Sequence, residues 1–583
     1  MARTATADLA AMRRRLPNVW DLAAILMVFG VLVALARVGP ETLKPLSAPE
    51  ATAISLDPSH LPAYALRTTL RMFAALFASL VFTFTFATLA AKSRRAGLVM
   101  IPLLDILQSV PILGFLSFTT VFFMGLFPGR IAGLELAAIF AIFTSQAWNM
   151  AFSFYQSLTT IPSDLNEVTR SFNLSGWQRF WRLDVPFAMP GLVWNMMLSM
   201  SGGWFFVVAS EAISVGDTSF NLPGIGSYVA VALEQRNVHA VFWAILAMFM
   251  VILAYDQLLF RPLVAWSSKF RFEVVAGATS NQPWVLKLFR RTRLLRAVSV
   301  RAGLGFGWMQ SLRLAAPVRR RRAADALARP PMRGVSRLID AGFLLIVAIV
   351  VGFAAWRIVT YVSGSGVVWS DVRTTFGLAC ITLLRVVVLI ALASLLWVPI
   401  GVWLGLRPNW ARRAQPIVQF AAAFPANLFF PIFVIVIVRF NLNRDIWLTP
   451  LMILGTQWYI LFNVIAGASV FPGDLREAAE NFRVGGFLWW RRVILPGIFP
   501  YFVTGALTAS GGSWNAAIVS EIAQWGPTTL NAHGLGNYIA HQTIAGDFPR
   551  IVLGVAMMSA FVLAFNRAVW RPLYAYSTRR LTM

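Results

Sequence analysis

Apolar runs long enough to cross a bilayer alternate with short polar breaks along almost the whole chain. Stretches of about 18 or more predominantly apolar residues suffice for a hydrocarbon core of roughly 30 Å. They fall at residues 20–37, 66–91, 98–125, 133–157, 187–212 and 239–260, and again at 338–358, 378–404, 416–438, 448–469, 497–522 and 550–568. In lipid every backbone donor and acceptor must be satisfied within the segment, so each run predicts a helix. The expected fold is an all-α integral membrane protein of about twelve helices in two sets of six.

The break between the fourth and fifth runs of the second set, PGDLREAAENFRVGG at 472–486, is polar and helix-forming. Pro472 and Gly473 stop the preceding structure. Asp474 suits the N-cap and Glu477 the N3 position, from which its carboxylate reaches back to the cap amide. Ala478 and Ala479 offer a small, smooth surface for close approach of another protein. Gly485 and Gly486 end the helix after about three turns, and Pro496 suits the first turn of the next membrane helix. The plainer reading is a well-capped loop helix, and the first half argues against it by repeating the box with Asp164 and Glu167 in the same place.

That recurrence is part of a tandem duplication. At a constant offset of 310, residues 162–211 and 472–521 share 14 identities in 50 pairs, among them Pro162/Pro472, Glu167/Glu477, Phe172/Phe482, Gly176/Gly486, Pro186/Pro496, Trp204/Trp514 and Glu211/Glu521. Chance gives roughly three, so one unit occurs twice. The expected division is a first repeat over 1–266 with a core of about 66–262, a linker over 267–333, and a second repeat over 334–583 with a core of about 374–573. Both repeats start on the same side, so they are parallel, with a central pathway expected between them.

Mean hydropathy of +0.68 with 13% charged residues excludes a soluble globular chain. The net charge of +26 is not the footprint of nucleic-acid binding, because no soluble domain carries it. It reads as topology: basic clusters at Arg13–Arg15, Lys92–Arg95, the linker, Arg407–Arg413 and Arg579–Arg580 place both termini and the linker in the cytoplasm. The basic start followed by an apolar run resembles a signal peptide, but Arg333–Trp356 opens the second half in the same way, which favours a retained helix. Residues 269–333 hold 15 Lys or Arg against two acids, suited to an anionic leaflet or to regulation, with a basic amphipathic helix expected at 283–301. The single cysteine, Cys380, excludes a disulfide framework and is read as a packing residue. No metal site and no cofactor are expected.

EAAENFRVGGFLWWRRVILPGIFP at 477–500 resembles the EAA loop of binding-protein-dependent ABC importer permeases. Glu477, Ala478, Ala479, Gly486, Leu495 and Pro496 all fall in place. The first copy keeps Glu167, Gly176 and Pro186 but has Val168 and Thr169 for the alanines. The resemblance implies a MetI-like fold, a bacterial inner-membrane location, and a coupling helix in each repeat that seats in a cytoplasmic ATPase, two copies per chain, with a periplasmic or lipid-anchored substrate-binding protein. The chain itself lacks a P-loop: none of its four lysines follows a glycine. It is therefore expected not to be an enzyme.

TLLRVVVLIALASLLWVPIGVWLGL at 382–406 resembles the second core helix of the nitrate, sulfonate and taurine branch, which points to a small anion. Arg71 and Arg385 sit within apolar runs, where an isolated charge costs roughly 3 kcal/mol or more. They either lend positive potential to a pathway or form salt bridges near the outer interface with a residue such as Glu211 or Glu521. A proton relay through Glu211 and Glu521 is the remaining alternative for the acids. A related importer of ferric iron or other cargo, and more distantly a major-facilitator-type transporter, compete; the latter lacks its acidic turn, since KSRRAG stands at 92–97.

Overall fold

The structure is a computed structural model and describes residues 54–215, 218–270, 292–314, 333–469, 471 and 473–580. Among the described residues, eight helices are long and apolar enough to span a membrane on their own: Pro58–Lys92, Ile131–Thr159, Gly176–Glu211, Val238–Ser267, Ala341–Gly364, Trp369–Gly405, Gly486–Ser520 and Phe548–Ser577. Three more predicted spans appear as bent pairs, which brings the described spans to 11. The expected span at 20–37 lies outside the described residues.

The bends correct the expectation of uninterrupted helices. The 98–125 segment turns by 100° between Gln108 and Ile112, and the 416–438 segment by 83° between Ala423 and Ala426. Pro111 and Pro425 stand at these breaks with extended backbone, each preceded by an extended residue, Val110 and Phe424. A proline removes the amide that would continue the ladder and pushes its predecessor out of the helical region.

A second use of proline leaves the helix continuous. Among the described residues, four π-helical turns, Phe180–Asp184, Asp256–Phe260, Trp490–Ile494 and Asn566–Trp570, each end two residues before a proline: Pro186, Pro262, Pro496 and Pro572. Widening one turn makes room for the ring and for the carbonyl that loses its donor. Pro496 therefore does not open the fifth span of the second repeat. That helix already begins at Gly486, and the proline sits ten residues inside it.

Two antiparallel hairpins depart from the all-α expectation: Ala212–Val215 with Thr218–Asn221, and Ile522–Trp525 with Thr528–Asn531. Each follows its fifth span and leads to a short helix, Ile225–Glu234 or Leu535–Ala545.

The described residues fall into two compact units that do not follow the repeat boundaries. One comprises Phe152–Met197 and Leu253–Gly342, and includes the first short polar helix and the linker helix Arg293–Ser311. The latter covers residues 293–301 of the helix expected at 283–301 and runs on to Ser311; residues 283–291 lie outside the described ones. The other comprises Lys44–Ala151, Leu198–Ile252 and Phe343–Met583. Its core mixes both repeats: Ile112, Leu116 and Ile213 join Val386, Val464, Ile498, Trp514 and Ile551. Small residues allow the close approaches. A Cβ at Gly401 would lie 2.7 Å from the Val464 side chain, and one at Gly405 2.7 Å from the Ile465 carbonyl, so these glycines, four apart, seat one helix on another. Cys380 is exposed on its helix rather than packed within the chain.

Candidate functional site

The short polar helices are Ser163–Ser171 and Gly473–Asn481, nine residues each. Their start differs from the expected capping box. The first begins at Ser163 with Pro162 as N-cap and no side-chain cap, so Asp164 lies inside the first turn and Glu167 two residues beyond N3. The second begins at Gly473, ahead of Asp474; Pro472 lies outside the described residues. The acids still lie near the helix N-termini, where the helix dipole favours them. A capping box does form, one element later, where Ser175 Oγ accepts from Gln178 N at 3.2 Å and Ser175 N donates to Gln178 Oε1 at 3.0 Å.

Their ends differ as well. The helices stop at Ser171 and Asn481, and the chain reverses at Asn173 (φ 49°) and Arg483 (φ 53°). Leu174 N then bonds Thr169 O at 3.1 Å, and Val484 N bonds Ala479 O at 2.8 Å, a Schellman closure in both. Gly176 and Gly486 instead start the following helices, with Gly486 at φ +59°. Ala479 is buried within the chain, as is its counterpart Thr169, and Ala478 is partly buried, so neither alanine is fully open to a partner. Exposed are Glu167 and Val168 in the first helix with Phe172 just past its end, and Glu477 in the second with Phe482 just past its end. The two phenylalanines are 74% and 82% exposed. Sequence reasoning paired them in the repeat but assigned them no role.

Arg71, Arg385, Glu211 and Glu521 meet in pairs, one pair per repeat, both within the larger unit. Arg71 Nη1 donates to Glu211 Oε1 at 2.6 Å, and its Nε and Nη2 clasp Glu135 at 2.5 and 2.7 Å. Nη2 also reaches Pro223 O at 3.0 Å. Arg385 Nη1 donates to Glu521 Oε1 at 3.1 Å and Nη2 to Asp445 Oδ1 at 3.0 Å. Each of the two arginines thus bonds two carboxylates.

The remaining lone pairs are met by backbone and hydroxyl donors. Thr68 Oγ1 donates to Glu211 Oε1 at 2.7 Å and accepts from Ile225 N at 3.0 Å; Gly226 N donates to Glu211 Oε2 at 2.6 Å. Thr382, Leu535 and Asn537 repeat this around Glu521 at 2.9, 3.0 and 3.0 Å. Each glutamate ends or directly follows its fifth span and caps the first turn of the short helix after the hairpin. The networks differ in wetness. The Glu135 side chain is 13% exposed, whereas that of Asp445 is 38% exposed and also accepts from His533 N at 2.6 Å.

Glu135, Asp445, Thr68 and Thr382 were missed by sequence reasoning. Glu135 and Asp445 are related by the offset of 310, but Arg71 and Arg385 by 314, so no single register pairs the networks. The signal was an acid flanking an apolar run in each half.

A family model for the binding-protein-dependent transport system inner membrane component matches the chain twice, at residues 79–260 and 397–581. The bicarbonate transport system permease protein CmpB of Synechococcus elongatus is 27% identical over 188 residues, 32% of this chain and 64% of that protein. The nitrate import permease protein NrtB of Leptolyngbya laminosa is 26% identical over the same length and shares. The glycine betaine/proline betaine transport system permease protein ProW of Escherichia coli is 31% identical over 141 residues, 23% of this chain and 36% of its own. The chain thus spans less than two thirds of the length of these relatives. With the model matched once in each repeat, the chain belongs to the family of binding-protein-dependent transport system inner membrane components and carries that component in duplicate.

Proposed function

We propose that this chain is the permease of an ABC importer, with both halves of the translocation unit fused into one polypeptide and ATP hydrolysed by separate subunits. The observation that carries the coupling role is the paired helix: Ser163–Ser171 and Gly473–Asn481 each present an acid and an exposed phenylalanine, close in a Schellman turn, and continue into a long apolar helix through a π turn. Glu167 and Glu477 with Phe172 and Phe482 form the docking face, while Gly176, Gly486, Pro186 and Pro496 shape the path into the span. Movement of a docked ATPase is then transmitted along a continuous helix, and the two repeats, not the compact units, are the moving parts. A substrate-binding protein delivers cargo from the other side.

The cargo favoured is a small anion of the bicarbonate or nitrate kind, supported by the relatives named above. A betaine-type zwitterion is the second reading, supported by the likeness to ProW. Arg71 and Arg385 are assigned to structural struts rather than to the pathway, because each already faces two carboxylates and leaves no positive charge over. Glu211 and Glu521 belong to the same struts.

The test is ATP-driven uptake by the reconstituted complex. Glu477→Arg is expected to abolish both copurification of the ATPase and uptake while leaving the permease folded. Unchanged copurification and uptake would remove the coupling role. Isotope-labelled bicarbonate, nitrate and glycine betaine, offered to the same vesicles, decide the cargo.

A further inference from the structure

The linker helix Arg293–Ser311 is held at its C-terminal end by three contacts from the segment that follows the first short polar helix. Trp177 Nε1 donates to Met309 O at 2.8 Å, Gln178 Nε2 donates to Ser311 O at 3.0 Å, and Trp181 meets Phe306 edge-on with ring centroids 5.3 Å apart. The last carbonyls of a helix have no partner within it; Met309 O takes only a long bond from Leu312 N at 3.4 Å, and the two side chains add donors at this end. Trp177, Gln178 and Trp181 lie in the first turns of the membrane-spanning helix Gly176–Glu211. The linker helix is thereby pinned at the end of a span, where bilayer meets water.

Its other face is open. Val300, Leu304 and Trp308, spaced four apart and so stacked on one stripe, are all more than half exposed. A Cβ added at Gly303 or Gly307, beside that stripe, would meet nothing within 4 Å. Arg301 is exposed at the edge of that stripe, one residue after Val300, Arg313 is exposed just beyond the helix end, and the helix sequence contains two further arginines and no acid. An apolar stripe ending in tryptophan, flanked by cations and fixed at a span's end, matches the boundary of an anionic bilayer in both polarity and charge.

We propose that Val300, Leu304 and Trp308 insert into the interface of an anionic lipid leaflet with Arg301 at its headgroups, so that the linker tethers the start of the fifth span of the first repeat to the membrane surface. The second repeat carries Phe487 and Leu488 where the first has Trp177 and Gln178, and both are exposed and unable to donate hydrogen bonds. The tether therefore acts on one repeat alone, and lipid charge tunes the two coupling elements unequally. This inference does not depend on the identity of the cargo or of any ATPase.

The full chain tests it. With Cys380→Ser as background, Leu304→Cys or Trp308→Cys is labelled with an environment-sensitive fluorophore, and the protein is placed in nanodiscs of phosphatidylcholine alone or mixed with phosphatidylglycerol. The label is expected to be shielded from aqueous iodide and quenched by brominated acyl chains in the mixed bilayer, with Arg301→Glu reducing the shielded fraction about fivefold or more. Full iodide access, with no shielding in either bilayer at either position, overturns the proposal. Shielding identical with and without phosphatidylglycerol overturns the role of the arginines, and shielding that appears only on adding an ATPase subunit assigns the stripe to a protein partner instead.

Discussion

Replacing Arg71 by methionine removes the cation that bonds both Glu135 and Glu211 and leaves those two carboxylates facing each other. Glu211 is fully buried and Glu135 nearly so. Arg71 makes four hydrogen bonds, three of them to carboxylates. Breaking a buried pair by deleting one partner costs about 3–5 kcal/mol, because the orphaned charge stays in a low-dielectric site. In the second repeat Arg385 makes two such bonds, at 3.0 and 3.1 Å, and Asp445 keeps both solvent and His533. Arg385→Met is therefore expected to cost about half as much. Thermal unfolding of purified protein in one detergent, read by tryptophan emission, should rank wild type above Arg385→Met above Arg71→Met. Adding Glu135→Gln and Glu211→Gln to Arg71→Met should recover most of the loss, since the surplus charge goes with it. A drop for Arg71→Met no larger than that for Arg385→Met, or no recovery in the triple variant, would refute the reasoning from burial and wetness.

Further expectations follow from single contacts. Gly202→Ala places a methyl group on the Tyr459 hydroxyl; it should destabilise by about 1–3 kcal/mol, and Tyr459→Phe should relieve most of that in the same melting assay. Gly224→Ala and Gly534→Ala drive a Cβ into the carboxylates of Glu211 and Glu521; each should lower the melting temperature, whereas Gly511→Ala, which meets nothing within 4 Å, should not. Arg483→Gly relieves a left-handed backbone at φ 53° and should stabilise by ~0.5–1 kcal/mol, while Asn173→Gly should gain less, since asparagine already tolerates that region. A melting scan comparing these two glycine variants checks the ordering.

Hydrophobic run length made the spans legible, because a bilayer imposes one length on every helix. The duplication was legible through Pro, Gly, Trp and Glu at constant spacing. What the proline spacing left hidden was which of its two effects would operate. At Pro111 and Pro425, inside apolar runs, the chain breaks, and at Pro186 and Pro496, at the edge of a run, a π turn absorbs the ring. The distinction depends on whether neighbouring helices hold the segment straight, which is tertiary information. The same holds for the acid at 167 and 477. Its spacing from Asp164 and Asp474 fits a capping box, but the helix starts earlier, and Ser175 with Gln178 forms the box instead. Arg71 could be read as needing a partner, but Glu135 lies 64 residues away and is brought to it only by packing.

The central claim is that both short helices seat in an ATPase, and proximity crosslinking from their exposed phenylalanines tests it most directly. Phe172→Cys and Phe482→Cys, each in the Cys380→Ser background, would be labelled with a thiol-reactive photocrosslinker that inserts into nearby C–H bonds, and irradiated in the assembled transporter. The account predicts crosslinks to the ATPase from both positions, changing in yield when ATP is bound. An intact complex that gives no crosslink from either position would contradict it.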